Sequence, residues 1–136
     1  MNQDRDKWRA WNAEVAVRHR LYGLDCPAVD LDHLLIEYDH AKPVALFEQK
    51  HEDAPVLEAL NASYQAIAEL GTEARRPVFE ARYAGDYSRW VVTPLNDFAR
   101  TWISGMTYFT EIGYVRFLYW LRGRTVPQKV LDALSA

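Results

Sequence analysis

Cysteine is nearly absent from this chain of 136 residues. Cys26 stands alone, so no internal disulfide can form and no zinc-finger ligand set can be assembled from cysteine. A reducing cytoplasm is the expected compartment. Apolar runs long enough to span a membrane are also missing, and the opening MNQDRDKWRAWN is too polar for a secretion signal. Lysine is scarce: Lys7, Lys42, Lys50 and Lys129 are the only lysines among 16 basic residues. With 19 acidic residues the net charge is −3, which excludes a protein coated in basic charge for non-specific nucleic-acid binding but leaves room for local basic patches. Arginine suits bidentate phosphate contacts and surface ion pairs alike, so its excess decides nothing alone. No internal repeat or low-complexity stretch interrupts the chain. The remaining composition, 49% hydrophobic and 26% charged, is that of an ordinary folded domain, expected as one unit over residues 1–136.

Residues 3–21 read as a helix, with Trp8, Trp11 and Val15 at helical spacing and Ala10, Ala13 and Ala16 favouring helix. Its tryptophans are expected to pack on a sheet. Arg18, His19 and Arg20 form a basic end that suits the helix dipole, or contact with phosphate. Gly23 and Pro27 mark a loop around Cys26, read as a packed thiol. A second helix is expected from Ala54 to Leu70, N-capped by Asp53 and stopped by Gly71. Val56, Leu60, Tyr64 and Ile67 form its apolar face, while Asn61, Gln65 and Glu69 lie off that stripe. Val78–Tyr83 and Tyr87–Thr93 alternate as strands around a turn at Ala84-Gly85-Asp86, with Phe79, Ala81 and Tyr83 on one face. Leu95–Ile103 reads as a short helix and Met106–Phe109 as an extended piece. Thr110 caps a helix over Glu111–Arg122, closed by Gly123. Its inward face is expected at Ile112, Val115, Leu118 and Leu121, broadened by Tyr114, Phe117 and Trp120. A helix this apolar is deeply packed or joins a homodimer. The tail from Pro127 to Leu134 has room for one or two turns. This order predicts an α/β (α+β) fold: a central mixed sheet flanked by helices.

The chemistry concentrates in Asp30–Lys50, read as DLDHLLIEYDHAKPVALFEQK. Apolar residues alternate from Leu31 to Tyr38 and run again from Val44 to Phe47, with Asp39–Lys42 between them, which predicts a β-hairpin. By alternation Asp30 and Asp32 share a face with Leu34 and Ile36, and Glu48 and Lys50 share one with Leu46. A turn centred near His40–Ala41 sets Asp32 opposite Gln49–Lys50 and beside Glu48. Two carboxylates and an ammonium then converge at the open end. A hard cation such as Mg²⁺, or Mn²⁺, takes oxygen ligands of this kind: Asp32, Glu48 and the backbone carbonyl of Gln49. Such an ion would acidify a bound water and offset charge on a phosphate oxygen, while Lys50 orients the attacking water. The competing interpretation is a solvated edge strand with a cross-strand ion pair of little energetic weight.

Asp32 followed by Glu48-Gln49-Lys50 resembles the motif of the PD-(D/E)XK nuclease superfamily, which has the restriction-endonuclease-like fold. The run from Arg20 to Glu52 looks like small nuclease-like proteins of bacterial and phage genomes, and the resemblance covers residues 8 to about 94. It implies a Mg²⁺- or Mn²⁺-dependent endonuclease or other DNA-cleaving hydrolase, with Asp32 and Glu48 as ligands and Lys50 as catalytic lysine. Asp30 is the alternative or supporting acid, and Glu14 the candidate ligand from the first helix. Gln65, Arg18 and Arg20 are candidate substrate contacts. Gln65 is followed four residues later by Glu69, not by the tyrosine of the RecB-like branch. The alternative function is a non-catalytic nucleic-acid-binding or assembly protein that keeps this fold.

Overall fold

The computed structural model describes residues 3–23, 25, 28–29, 31–55 and 62–136, and the chain divides into two units, residues 1–30 and 31–136. In the first unit, α1 (Gln3–Arg20) forms as the sequence predicts. Asp4 and Asp6 lie in its first turn and Arg18, His19 and Arg20 in its last, each sign at the helix end that its dipole favours. Trp8 and Trp11 are 57% and 56% exposed. The Trp8–Trp11–Val15 stripe is short and ends in charge on both sides, at Asp4 and Arg18.

The second unit is an α+β structure around a five-stranded mixed sheet in the order β1-β2-β3-β4-β5. Its strands are β1 (His33–Glu37), β2 (Lys42–His51), β3 (Val78–Tyr83), β4 (Trp90–Pro94) and β5 (Thr107–Phe109). Only β2 and β3 run parallel; the other neighbours are antiparallel. The predicted first hairpin is β1–β2, turned through a short 3₁₀ segment at Tyr38–His40 and a left-handed Ala41. Its register is tighter than expected, pairing His33 with Phe47 and Leu34 with Leu46. Continued by one residue, this ladder sets Asp32 opposite Glu48 instead of Gln49–Lys50. The cause lies in the turn and the strand before it: a register shift between Leu35 and Ile36 precedes the 3₁₀ segment.

Parallel neighbours need a crossover, and α2 (Ala62–Glu73) lies within it. Tyr64, Ile67 and Gly71 are its buried face. The expected residues Val56 and Leu60 lie outside the described residues. Gly71 does not stop the helix as predicted. It sits inside α2, where a Cβ would collide with Val78 Cγ2, so glycine is required by close packing on β3. The actual stop is a Schellman arrangement, in which Arg76 N–H donates to Gly71 O at 2.8 Å and Arg75 N–H to Thr72 O at 3.0 Å. Arg75 takes the left-handed position at φ 59°, which usually falls to glycine.

The second hairpin forms as β3–β4, and Met106–Phe109 contributes β5. The helix predicted over Leu95–Ile103 shrinks to α3 (Asp97–Arg100). Asn96 caps it and is buried, with every side-chain hydrogen-bonding direction used. Its Oδ1 accepts from Ala99 N at 2.9 Å and Val78 N at 3.1 Å, and its Nδ2 donates to Arg76 O at 2.9 Å and Thr72 Oγ1 at 3.3 Å. Thr110 caps α4 (Glu111–Leu121), and α5 (Gln128–Leu134) follows. Of the predicted inward face of α4, Leu121 is buried together with Tyr114 and Phe117, while Ile112, Val115 and Leu118 are half-buried and Trp120 is exposed. The bulky rings take the deepest positions, which an apolar periodicity with no polar side could not resolve.

The main core lies between the sheet and α4, where Phe47, Phe79, Trp90 and Val92 meet Tyr114, Phe117 and Leu121. Trp90 stacks on Tyr114 with centroids 4.1 Å apart. The α2 face is a smaller cluster of Leu46, Ile67 and Val78. No helix among the described residues is long and apolar enough to cross a membrane.

Candidate functional site

Side chains alternate along β2, so Phe47 and Gln49 face α4 while Leu46, Glu48 and Lys50 face the α2 side. The parallel register with β3 then sets Glu48 beside Glu80 and Lys50 beside Arg82. The result is two acids and two bases on adjacent strands, reached at one side by Asp32. Glu48 and Glu80 are buried, at 4% and 9% exposure.

The two glutamates are treated very differently by their neighbours. Glu80 is fully engaged: its Oε2 accepts from the Tyr64 hydroxyl at 2.5 Å and its Oε1 from Arg82 Nε at 3.0 Å. The Arg82 guanidinium also donates to Ala54 O at 3.0 Å and Pro55 O at 3.1 Å, fastening the chain that leaves β2. Burial, and then the Glu80 carboxylate, push the Tyr64 hydroxyl pKa well up, so it stays a donor. Glu48, by contrast, has a buried Oε1 with no hydrogen-bond partner. Its pKa is pushed up to about 7, first by burial and then by the charge of Asp32, against a weaker opposing pull from Lys50. A buried acceptor without a donor is rare and costly, and here a second carboxylate stands beside it.

Asp32 is held by main chain: its Oδ2 accepts from Gln49 N–H at 3.0 Å. In an extended residue N–H and C=O point to the same side, so the Gln49 carbonyl also faces the Asp32 side. The Gln49 side chain goes the other way, towards the Tyr114 hydroxyl. Lys50 is half-buried next to Glu48.

The structure therefore brings together Asp32, Glu48, Gln49 and Lys50 from the sequence-predicted set. Asp30 lies outside the described residues. Glu14, Arg18 and Arg20 are exposed on α1, in the unit of residues 1–30. Gln65 is exposed on α2, adjacent in sequence to the buried Tyr64. Sequence reasoning missed Tyr64, Glu80 and Arg82 as parts of this site. The alternation that puts Phe79, Ala81 and Tyr83 on one face puts Glu80 and Arg82 on the other, so a signal was present. The parallel pairing that delivers them to Glu48 had no local trace.

Among the described residues no group of three or more His, Cys, Asp or Glu side chains is arranged to hold a metal. Glu80 is close in register, but Tyr64 and Arg82 already use its oxygens. The carboxylates left are a pair, Asp32 and Glu48. A pair of hard oxygen donors with an orphaned buried atom fits a Mg²⁺-like ion, which keeps several waters and takes only one or two carboxylates. No protein-family model, curated protein or solved structure matches this chain.

Proposed function

We propose that this protein is a divalent-metal-dependent nuclease that hydrolyses phosphodiester bonds of DNA, with the restriction-endonuclease-like fold that its motif resembles. The observation that carries the reading is Glu48 Oε1, buried without a donor beside Asp32 and within the field of Lys50. Two like-charged groups in one buried place call for a cation between them, or for a proton. Mg²⁺ or Mn²⁺ held there supplies Lewis acidity at a phosphate oxygen and a more acidic water. Asp32 and Glu48 are the carboxylate ligands, with the Gln49 carbonyl on the same side. The Gln49 N–H fixes the Asp32 carboxylate, and the Tyr64–Glu80–Arg82 network fixes the neighbouring strand. Lys50 orients the attacking water and offsets the negative charge that grows on the phosphate.

The test is cleavage of linear, branched and single-stranded DNA with Mg²⁺ or Mn²⁺, alongside Mn²⁺ binding measured by calorimetry. Asp32→Asn is expected to lose metal binding and cleavage together. Lys50→Ala is expected to keep metal binding and lose cleavage by about 10²-fold or more. Full cleavage by Lys50→Ala would sink the mechanism.

A second reading, a non-catalytic nucleic-acid-binding or assembly protein, draws on one observation: no third ligand accompanies the pair among the described residues. In that reading α4 contributes its exposed Trp120 to a homodimer. Metal-independent DNA binding, with a stable dimer lost in Trp120→Ser, is its signature.

A further inference from the structure

At the far end of β2 from Glu48 lies a cleft of about 380 Å³, in the size range of small-molecule sites. Glu48 lies six residue steps along the strand from Lys42, a distance of about 20 Å, so this cleft is distinct from the carboxylate pair. Lys42, Arg75 and Arg76 line it, together with Phe98 and Trp102.

The charges in this cleft are set apart by their clustering, since the unit's other bases without an ion pair among the described residues, Lys50, Arg116 and Lys129, do not line it. Arg82, Arg89, Arg100, Arg122 and Arg124 each have a carboxylate partner. Lys42, Arg75 and Arg76 have no ion pair among the described residues, yet all three line one cavity. Arg76 Nε is buried with no hydrogen-bond partner. Glu37, the one carboxylate among the lining residues, is already matched by Arg122 at 3.5 Å and Arg124 at 2.5 Å. Arg75 occupies the left-handed residue of the α2 stop, where glycine would carry no strain. Like charges gathered without counter-charge favour an anion, and planar guanidinium groups suit phosphate. The half-buried rings of Phe98 and Trp102 add a surface on which a planar group can stack.

We infer that this cleft binds a nucleoside monophosphate unit, its phosphate against Lys42, Arg75 and Arg76 and its base against Phe98 and Trp102. The unit comes either as a free nucleotide or as the phosphorylated end of a DNA strand. The inference is independent of the reading of Asp32 and Glu48, and its test is run in EDTA, where metal-dependent chemistry is silent. Calorimetry with the full chain compares deoxyadenosine monophosphate, a short 5′-phosphorylated single-stranded DNA and inorganic phosphate.

The nucleotide is expected to bind more tightly than phosphate alone. Arg76→Ala and Arg75→Gly are each expected to weaken it about tenfold or more. Arg75→Gly is the decisive variant, because it relieves backbone strain and is expected to melt no lower than the parent. Asp32→Asn is expected to bind the nucleotide unchanged. Tighter binding of the DNA than of the free nucleotide, lost in the same variants, assigns the cleft to a strand end; equal binding assigns it to a free nucleotide. No nucleotide binding at millimolar concentration, phosphate binding as well as the nucleotide, or full affinity in Arg75→Gly overturns the inference.

Discussion

Against α4 the sheet presents Phe47, Phe79, Trp90 and Val92, and the aromatic rings meet other rings. Against α2 it presents Leu46 and Val78, then Glu48 and Glu80, with Ile67 as the main apolar cover. The same strands supply both faces, because a side chain changes face at every residue. The α4 face is where burial stabilises, since apolar area removed from water contributes about 25 cal/mol per Å². The α2 face gives up part of that gain to hold carboxylates out of water, a cost that a fold without a use for them would lack. The contrast separates what holds this unit together from where it keeps its buried charge.

The largest expected effect is on the aromatic face. Phe79 is fully buried and lies 5.2 Å from the Phe47 ring and 5.3 Å from the Phe117 ring. Phe79→Ala removes the middle of that row and is expected to cost about 3–5 kcal/mol in urea unfolding, from lost transfer energy and an unfilled cavity. A loss below about 1 kcal/mol would mean that the ring cluster does not hold the unit together, and the division of labour between the faces would fail.

Much of this contrast was readable in the sequence, and the unreadable part has a physical cause. Period-two alternation in VALFEQK and VFEARY places Phe47 and Phe79 opposite Glu48 and Glu80, and caps such as Thr110 mark their helix directly. The turn after β1 was harder. A 3₁₀ segment and a register shift moved the pairing, and with it the residue that faces Asp32. Gly71 misled because glycine both ends helices and lets them approach a strand, and only the position of Val78 shows which applies. The Glu48–Glu80 neighbourhood depends on parallel strands joined through a crossover, a non-local pairing for which no short stretch carries a signal.

A second prediction uses pH on the polar face. Glu48 has a folded pKa of about 7, raised from 4.5 by burial and by Asp32. A raised carboxyl pKa means that the folded state binds the proton more tightly than the unfolded chain. Its contribution to stability is therefore complete below pH 4.5 and is lost as pH rises through 7. Glu48→Gln keeps the shape without the charge. In EDTA, its stability relative to the parent is expected to grow between pH 4.5 and pH 7, towards a ceiling of about 3 kcal/mol. Excess Mg²⁺ is expected to shrink that difference at pH 8 by stabilising only the parent. A difference that stays flat with pH would show that Glu48 is not the strained member of the site.

The smallest effect compares two buried tyrosines, one on each face. Tyr64 donates to Glu80 at 2.5 Å, whereas the Tyr114 hydroxyl has the Gln49 side chain nearby but no hydrogen-bond partner. Tyr64→Phe leaves Glu80 Oε2 without its donor in a buried place and is expected to cost about 1.5–3 kcal/mol, the range for hydrogen bonds to charged groups. Tyr114→Phe removes an unpaired buried hydroxyl while keeping the ring stacked on Trp90, so its stability is expected to change by less than about 0.5 kcal/mol or to rise. The pair of variants differs by the same single oxygen on opposite sides of one sheet. Equal losses would mean that the polar face holds its carboxylates no more firmly than the aromatic face holds a stray hydroxyl. A larger loss at Tyr64 places the fixed hydrogen bond beside Glu48, where the proposed ligand pair would need a rigid neighbour.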